Sequence, residues 1–146
     1  MSLQEWAEKA RAGGGFFLNG EKLSIEEVVS YHHGAEKWVN LLTHRDGREV
    51  AAEAVEGEER LTLWERIRKI RGLKEYGCTL NYQGEKYFEV ERGVARAIVE
   101  TAEETESANV PYRVYRTKSG RRIAVEIWDR QIYCYVAEPA APQVSF

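Results

Sequence analysis

Two glutamates, Glu53 and Glu126, offer the most chemistry in this sequence. Each follows a glycine by the same interval, in Asp46-Gly47-Arg48-Glu49-Val50-Ala51-Ala52-Glu53 and in Ser119-Gly120-Arg121-Arg122-Ile123-Ala124-Val125-Glu126. Both lie in apolar, strand-like stretches, where carboxylates are disfavoured. Two carboxylates in one cleft can divide acid and base roles, because each environment sets its own proton affinity. Such a pair also makes a candidate inter-half site for a small ligand. The plainer role is an outward-facing residue held by a cross-strand partner, worth about 0.2–1 kcal/mol.

A second set combines positive charge with aromatic rings. Arg66, Arg68, Lys69, Arg71 and Lys74 form a basic connector, with Trp64 and Tyr76 at its ends. Arg113, Arg116, Lys118, Arg121 and Arg122 surround the second glycine turn, near Tyr112, Tyr115 and Trp128. Basic residues interleaved with aromatics can track phosphates and stack bases, or meet anionic head groups. The bland alternative is a solvated surface on a chain whose net charge is −3. Tyr115, Trp128, Tyr133 and Tyr135, with Arg113 and Arg116, make a candidate interaction surface, because exposed aromatic patches mark interfaces.

Other chemistries find little support. His32, His33 and His44 are the only histidines, and none has a metal-ligand spacing. Neighbouring residues of an extended segment point to opposite sides, so His32 and His33 do not share a ligand. Cys78 and Cys134 belong to no CxxC and read as free thiols. Gly13-Gly14-Gly15 lacks the Lys-Ser/Thr of a phosphate loop and reads as a hinge. No catalytic motif, metal or cofactor is expected.

The elements that position these residues come in two similar passages. Asn19-Gly20-Glu21-Lys22 recurs as Gln83-Gly84-Glu85-Lys86, and the two glutamate-bearing stretches above follow in the same order. The chain is therefore expected to be a single, mainly β domain. Two internally repeated antiparallel meander halves would share one core, sandwich or barrel-like, beside a short N-terminal helix. Residues 1–15 form the helix and glycine hinge, 16–64 the first half, 65–78 the basic connector, 79–137 the second half and 138–146 a tail.

Several local expectations follow. Ser2 and Glu5 have capping-box spacing, and Leu3, Trp6, Ala7 and Ala10 form one stripe. Leu23–Tyr31 carries both helix and strand signals, with strand favoured by Val28-Val29 and by the second copy. Asp46-Gly47 predicts a two-residue hairpin turn that sets Leu41 opposite Ala52, Val39 opposite Ala54 and Asn40 opposite Glu53. The same turn at Ser119-Gly120 predicts Arg113 opposite Glu126. The acidic run from Ala102 to Pro111 is expected as a loop.

The second half carries a family resemblance. Gly84-Glu85-Lys86-Tyr87-Phe88-Glu89-Val90, Glu91-Arg92-Gly93-Val94-Ala95, Tyr112-Arg113-Val114-Tyr115 and Gly120 through Asp129 resemble the bacterial "domain of unknown function 4178" family. Trp38 and Ala51-Ala52-Glu53 resemble its first-half strands, and the likeness spans roughly residues 16–137. The resemblance implies a bacterial, cytoplasmic, β-rich protein without an assigned activity. It also implies a genomic setting near polyamine-synthase-like and membrane-stress genes.

Composition narrows the rest. Hydrophobic residues make up 43% and charged residues 31%, which is globular rather than disordered. No apolar run approaches the ~20 residues of a membrane-spanning helix, and the opening residues lack a signal-peptide core. The leading expectation is a non-enzymatic protein-interaction or assembly module in the cytoplasm. The alternatives are a small-ligand or enzymatic site at Glu53 and Glu126, and nucleic-acid binding through the basic connector.

Overall fold

The computed structural model describes residues 2–70 and 77–146. It begins with α1 (Leu3–Lys9), followed by β1 (Gly15–Leu18), β2 (Glu21–Ser24), β3 (Glu27–His33), β4 (Glu36–Arg45), β5 (Arg48–Val55) and β6 (Thr62–Ile67). Then come β7 (Thr79–Tyr82), β8 (Glu85–Glu100), β9 (Thr105–Arg116), β10 (Arg122–Trp128), β11 (Gln131–Ala137) and β12 (Val144–Ser145).

The chain is mainly β and closes into an eight-strand antiparallel barrel. The strand order is β3-β4-β5-β6-β11-β10-β9-β8, and pairing of β3 with β8 completes the ring. Closure leaves no open edge in that ring. β7 continues the sheet beyond β8, and a separate small sheet runs β12-β1-β2.

Side-chain alternation gives the barrel two buried faces over its first half. On the outside, Val28, Val39, Leu41, Val50, Ala52, Ala54 and Leu63 pack with Trp6, Ala10, Phe16, Leu18 and Ile25 from α1 and the small sheet. On the inside, Val29, Tyr31, Trp38 and Leu42 meet Ala95, Ala97, Val110 and Tyr112 across the lumen. A third cluster joins Leu80 and Tyr87 to Tyr115, Ile123, Val125 and Cys134 on the outside of the second half. β8 contributes odd-numbered residues to both faces: Tyr87 outward, Ala95 and Ala97 inward. The register shift between Glu89 and Glu91 makes this switch, since an extra residue turns the following alternation over.

The capping box forms, with Ser2 Oγ accepting from the Glu5 amide and Glu5 reaching back to the Ser2 amide. The Asp46-Gly47 turn takes positive φ at both residues, 54° and 76°, and sets the predicted β4–β5 register. Leu23–Tyr31 is strand on both sides of a break at Ile25-Glu26. Val144 pairs with Leu18, and Phe146 meets Trp6 edge-on at 5.7 Å.

Four expectations are corrected. Ala102–Pro111 is mostly strand, because β9 starts at Thr105 and pairs with β8 along that run. The glycine run is no swivel: Gly13 donates to the Ile25 carbonyl, and Ile25 donates to the Gly14 carbonyl, each at 2.8 Å. The basic connector is strand at its start, since β6 carries Glu65, Arg66 and Ile67 into the barrel wall. Arg71 and Lys74 lie outside the described residues.

The fourth correction concerns Ser119-Gly120. Thr117 donates its amide to the Arg121 carbonyl, and Thr117 Oγ1 accepts from the Arg121 amide, so the loop is longer than two residues. Gly120, at φ 93°, supplies the left-handed residue of this turn. The register moves by one: Glu126 faces Tyr112, and Arg113 faces Val125.

Candidate functional site

The register shift at the second hairpin puts Tyr112, Val114, Ala124 and Glu126 on one side of β9 and β10. That side is the lumen. The β4–β5 register puts Asn40 opposite Glu53 on the matching side of the first half. Glu53 and Glu126 therefore border common interior space, despite coming from opposite halves of the chain.

The lumen has two mouths and a waist. The wider mouth is a cavity of about 470 Å³ walled by Glu36, Glu53, Glu56, Glu58, Glu91 and Glu126, with Arg116 and Arg122 among its lining residues. The other, about 330 Å³, is walled by Glu27, Glu49, Glu106 and Glu126 with Trp128, Tyr133 and Tyr135. Arg66 reaches this region by pairing with Glu49 at 2.9 Å and stacking over Tyr133 at 4.4 Å. Tyr31 and Glu126 border both mouths and the waist.

Aromatic packing fixes the waist. Tyr31 stacks on Trp38 at 5.1 Å and meets Trp128 edge-on at 6.4 Å. Trp38 meets Tyr112 at 5.4 Å, and Tyr112 donates its hydroxyl hydrogen to Glu91 at 3.1 Å. Glu126 Oε1 accepts from the Tyr31 hydroxyl at 2.9 Å and from Trp128 Nε1 at 2.8 Å.

Burial decides the electrostatics. It pushes the Glu53 carboxyl up to about 7, against the Trp64 indole and the Arg122 guanidinium, while Glu126 adds to the rise. Trp64 Nε1 lies close enough to Glu53 to oppose that rise but misses the geometry of a hydrogen bond. Burial also raises Glu126, although the Trp128 and Tyr31 hydrogen bonds favour its charged form. Glu91 and Glu27 are raised by burial first, with Glu36 repelling the former and Glu49 the latter. Burial outweighs the nearby positive charge in this lumen, where Arg66 pairs with Glu49 and Arg116 lines the wide mouth. Arg122 lies over Trp64 at 5.3 Å and donates to Thr62 at 3.0 Å.

The other residues singled out by the sequence are dispersed. Trp128, Tyr133 and Tyr135 share the lumen face with Glu126. Tyr115 lies on the opposite face, fully buried, and donates to the Gly77 carbonyl at 2.8 Å. Packing against Ile123 and Val125 removes it from any aromatic surface. Arg113 reaches the same carbonyl at 3.5 Å, and Arg116 stands at the wide mouth. Arg66, Arg68 and Lys69 line an open groove with His44, Arg48, Glu49 and Glu65. There Arg48 pairs with Glu65 and Arg66 with Glu49.

His33 bonds the Val94 carbonyl and His44 pairs with Glu26. Among the described residues no cluster of three or more His, Cys, Asp or Glu can hold a metal ion. Cys78 and Cys134 are free. Asn40, Tyr31, Trp38 and Glu91 are site residues that motif reasoning did not single out, and Trp64, read as an end of the basic connector, borders the lumen instead. The signal that reaches Asn40 is its place opposite Glu53, a polar residue on the same alternation.

No helix among the described residues is long and apolar enough to cross a membrane. No curated protein and no solved structure matches the chain. A family model described as "Domain of unknown function (DUF4178)" matches residues 11–142, nearly the whole chain, and the protein belongs to that family.

Proposed function

We propose that this protein is a non-enzymatic binding module that takes a small organic cation into the barrel lumen. The observation that carries the reading is the balance of charge in the two mouths. Glutamates line both, two arginines line the wider one, and aromatic rings separate them. Eight-stranded barrels have room inside for side chains or one small ligand. A cation there would gain from buried carboxylates and from the faces of Tyr and Trp rings.

Glu53 and Glu126 act in this reading as ligand-holding groups rather than as an acid–base pair. Isothermal titration at pH 8 with cyclohexylammonium, cyclohexanol and cyclohexanecarboxylate tests it. The ammonium is expected to bind and the carboxylate to fail. Equal or tighter binding of the carboxylate refutes the reading.

A second reading, a protein-interaction module, draws on the outer side of β8. Val94 and Ile98 stand there 56% and 40% exposed.

A further inference from the structure

Between its two mouths the lumen narrows to a void of about 30 Å³. That is enough for a water-sized group, which needs about 10–15 Å³ of such space. Asn40 borders it, 6% exposed, and its Oδ1 has no hydrogen-bond partner among the described residues. Glu53 and Glu126 border it from the opposite halves of the chain. Among the described residues both side-chain hydrogen bonds to Glu126 fall on Oε1, so Oε2 is left for a ligand.

The void thus collects acceptors from three side chains, and Asn40 Oδ1 stays unpaired although Tyr31, Trp64 and Tyr135 border the same void. Trp64 Nε1 is the unpartnered donor at its wall, a single N–H. A buried acceptor left unpaired costs about 1–3 kcal/mol, which is why folded interiors keep few of them. A primary ammonium head is close to water in size, carries one positive charge and offers three N–H donors.

We propose that the waist seats the –NH₃⁺ head of a primary alkylammonium ligand. Its three donors go to Asn40 Oδ1, Glu53 and Glu126, and its carbon tail leaves through the wide mouth past Trp38. This rests on the lumen being a cation site and adds the head-group class. A trimethylammonium head has no donors and is too broad for the void. It would stop in the wide mouth, held by charge and ring faces alone.

Titration calorimetry at pH 8 with hexylammonium and hexyltrimethylammonium separates the two levels. Hexylammonium is expected to bind one-to-one and at least about tenfold tighter, the worth of one charge-assisted hydrogen bond. Asn40→Leu, which removes one acceptor, is expected to cut the preference about tenfold and leave hexyltrimethylammonium affinity unchanged. If Asn40→Leu does not fold, Glu53→Gln keeps the shape and is expected to cut the preference likewise, while weakening both ligands because Glu53 also lines the wide mouth. Equal affinities in the unaltered protein overturn the head-group assignment and leave the cation lumen standing. A preference undiminished by these substitutions also overturns it. Failure of both ligands to bind, as in a void that holds only water, removes both readings.

Discussion

Replacing Glu53 by Gln should change how stability depends on pH. The Glu53 carboxyl sits at about 7 in the folded protein, against an ordinary value of 4.5, chiefly because it is buried. The folded state therefore binds this proton more tightly than the unfolded state does. Its stabilising contribution is fully present below pH 4.5 and is lost as pH rises through 7. At about 1.4 kcal/mol per pH unit, the whole loss is about 3 kcal/mol. Water entering the wide mouth reduces this, so the expected range is about 1–3 kcal/mol.

Glu53→Gln removes the proton and keeps the shape. Glu91 and Glu27 titrate in both proteins, so the difference between the two stability curves reports Glu53 together with its repulsion by Glu126. Urea unfolding followed by tryptophan fluorescence at pH 5, 6, 7 and 8 gives those curves. The variant should gain on the parent by about 1–3 kcal/mol between pH 5 and pH 8. Two parallel curves would show that Glu53 is well solvated, and the acidic, dry lumen would no longer stand.

Two further substitutions test the packing that shapes the lumen. Trp6→Ala empties a fully buried site between α1 and the outside of β4 and β5, and should cost about 3–5 kcal/mol by urea unfolding; a loss under about 1 kcal/mol would mean that α1 is dispensable. Gly93→Ala would place a methyl 2.6 Å from His33 Cε1, forcing the ring off Tyr112 and the Val94 carbonyl. The expected loss is roughly 1–2 kcal/mol, and His33→Ala in the same background should recover most of it.

The fold was legible where local chemistry and pattern agreed. Asp46-Gly47 accepts left-handed backbone at both residues, so the β4–β5 register followed from the turn alone, and Asn40 was placed beside Glu53. Ser119-Gly120 misled because Thr117 is close enough to bond the Arg121 amide with its hydroxyl, lengthening the loop. One residue of slip turned β9 over. Tyr112 went to the lumen, and Arg113, the forecast partner of Glu126, went to the outside.

The site was half legible for the same reason. Equivalent placement drew attention to Glu53 and Glu126. Their shared space depends on β3 meeting β8 and β6 meeting β11, pairings between residues far apart in the sequence. No short-range pattern encodes them. Ala102–Pro111 was misread because acidic and small residues resemble a loop, whereas in β9 its outward members face solvent and Val110 faces the core.

Closure by two long-range seams has a kinetic consequence. Until β8 reaches β3 and β11 reaches β6, the first meander has bare borders on both sides, able to template pairing with any neighbouring chain. Such a protein should assemble slowly, since much loop entropy is lost before the final contacts reward it. Its hazardous interval would come during synthesis, when the early strands have emerged and their complements have not.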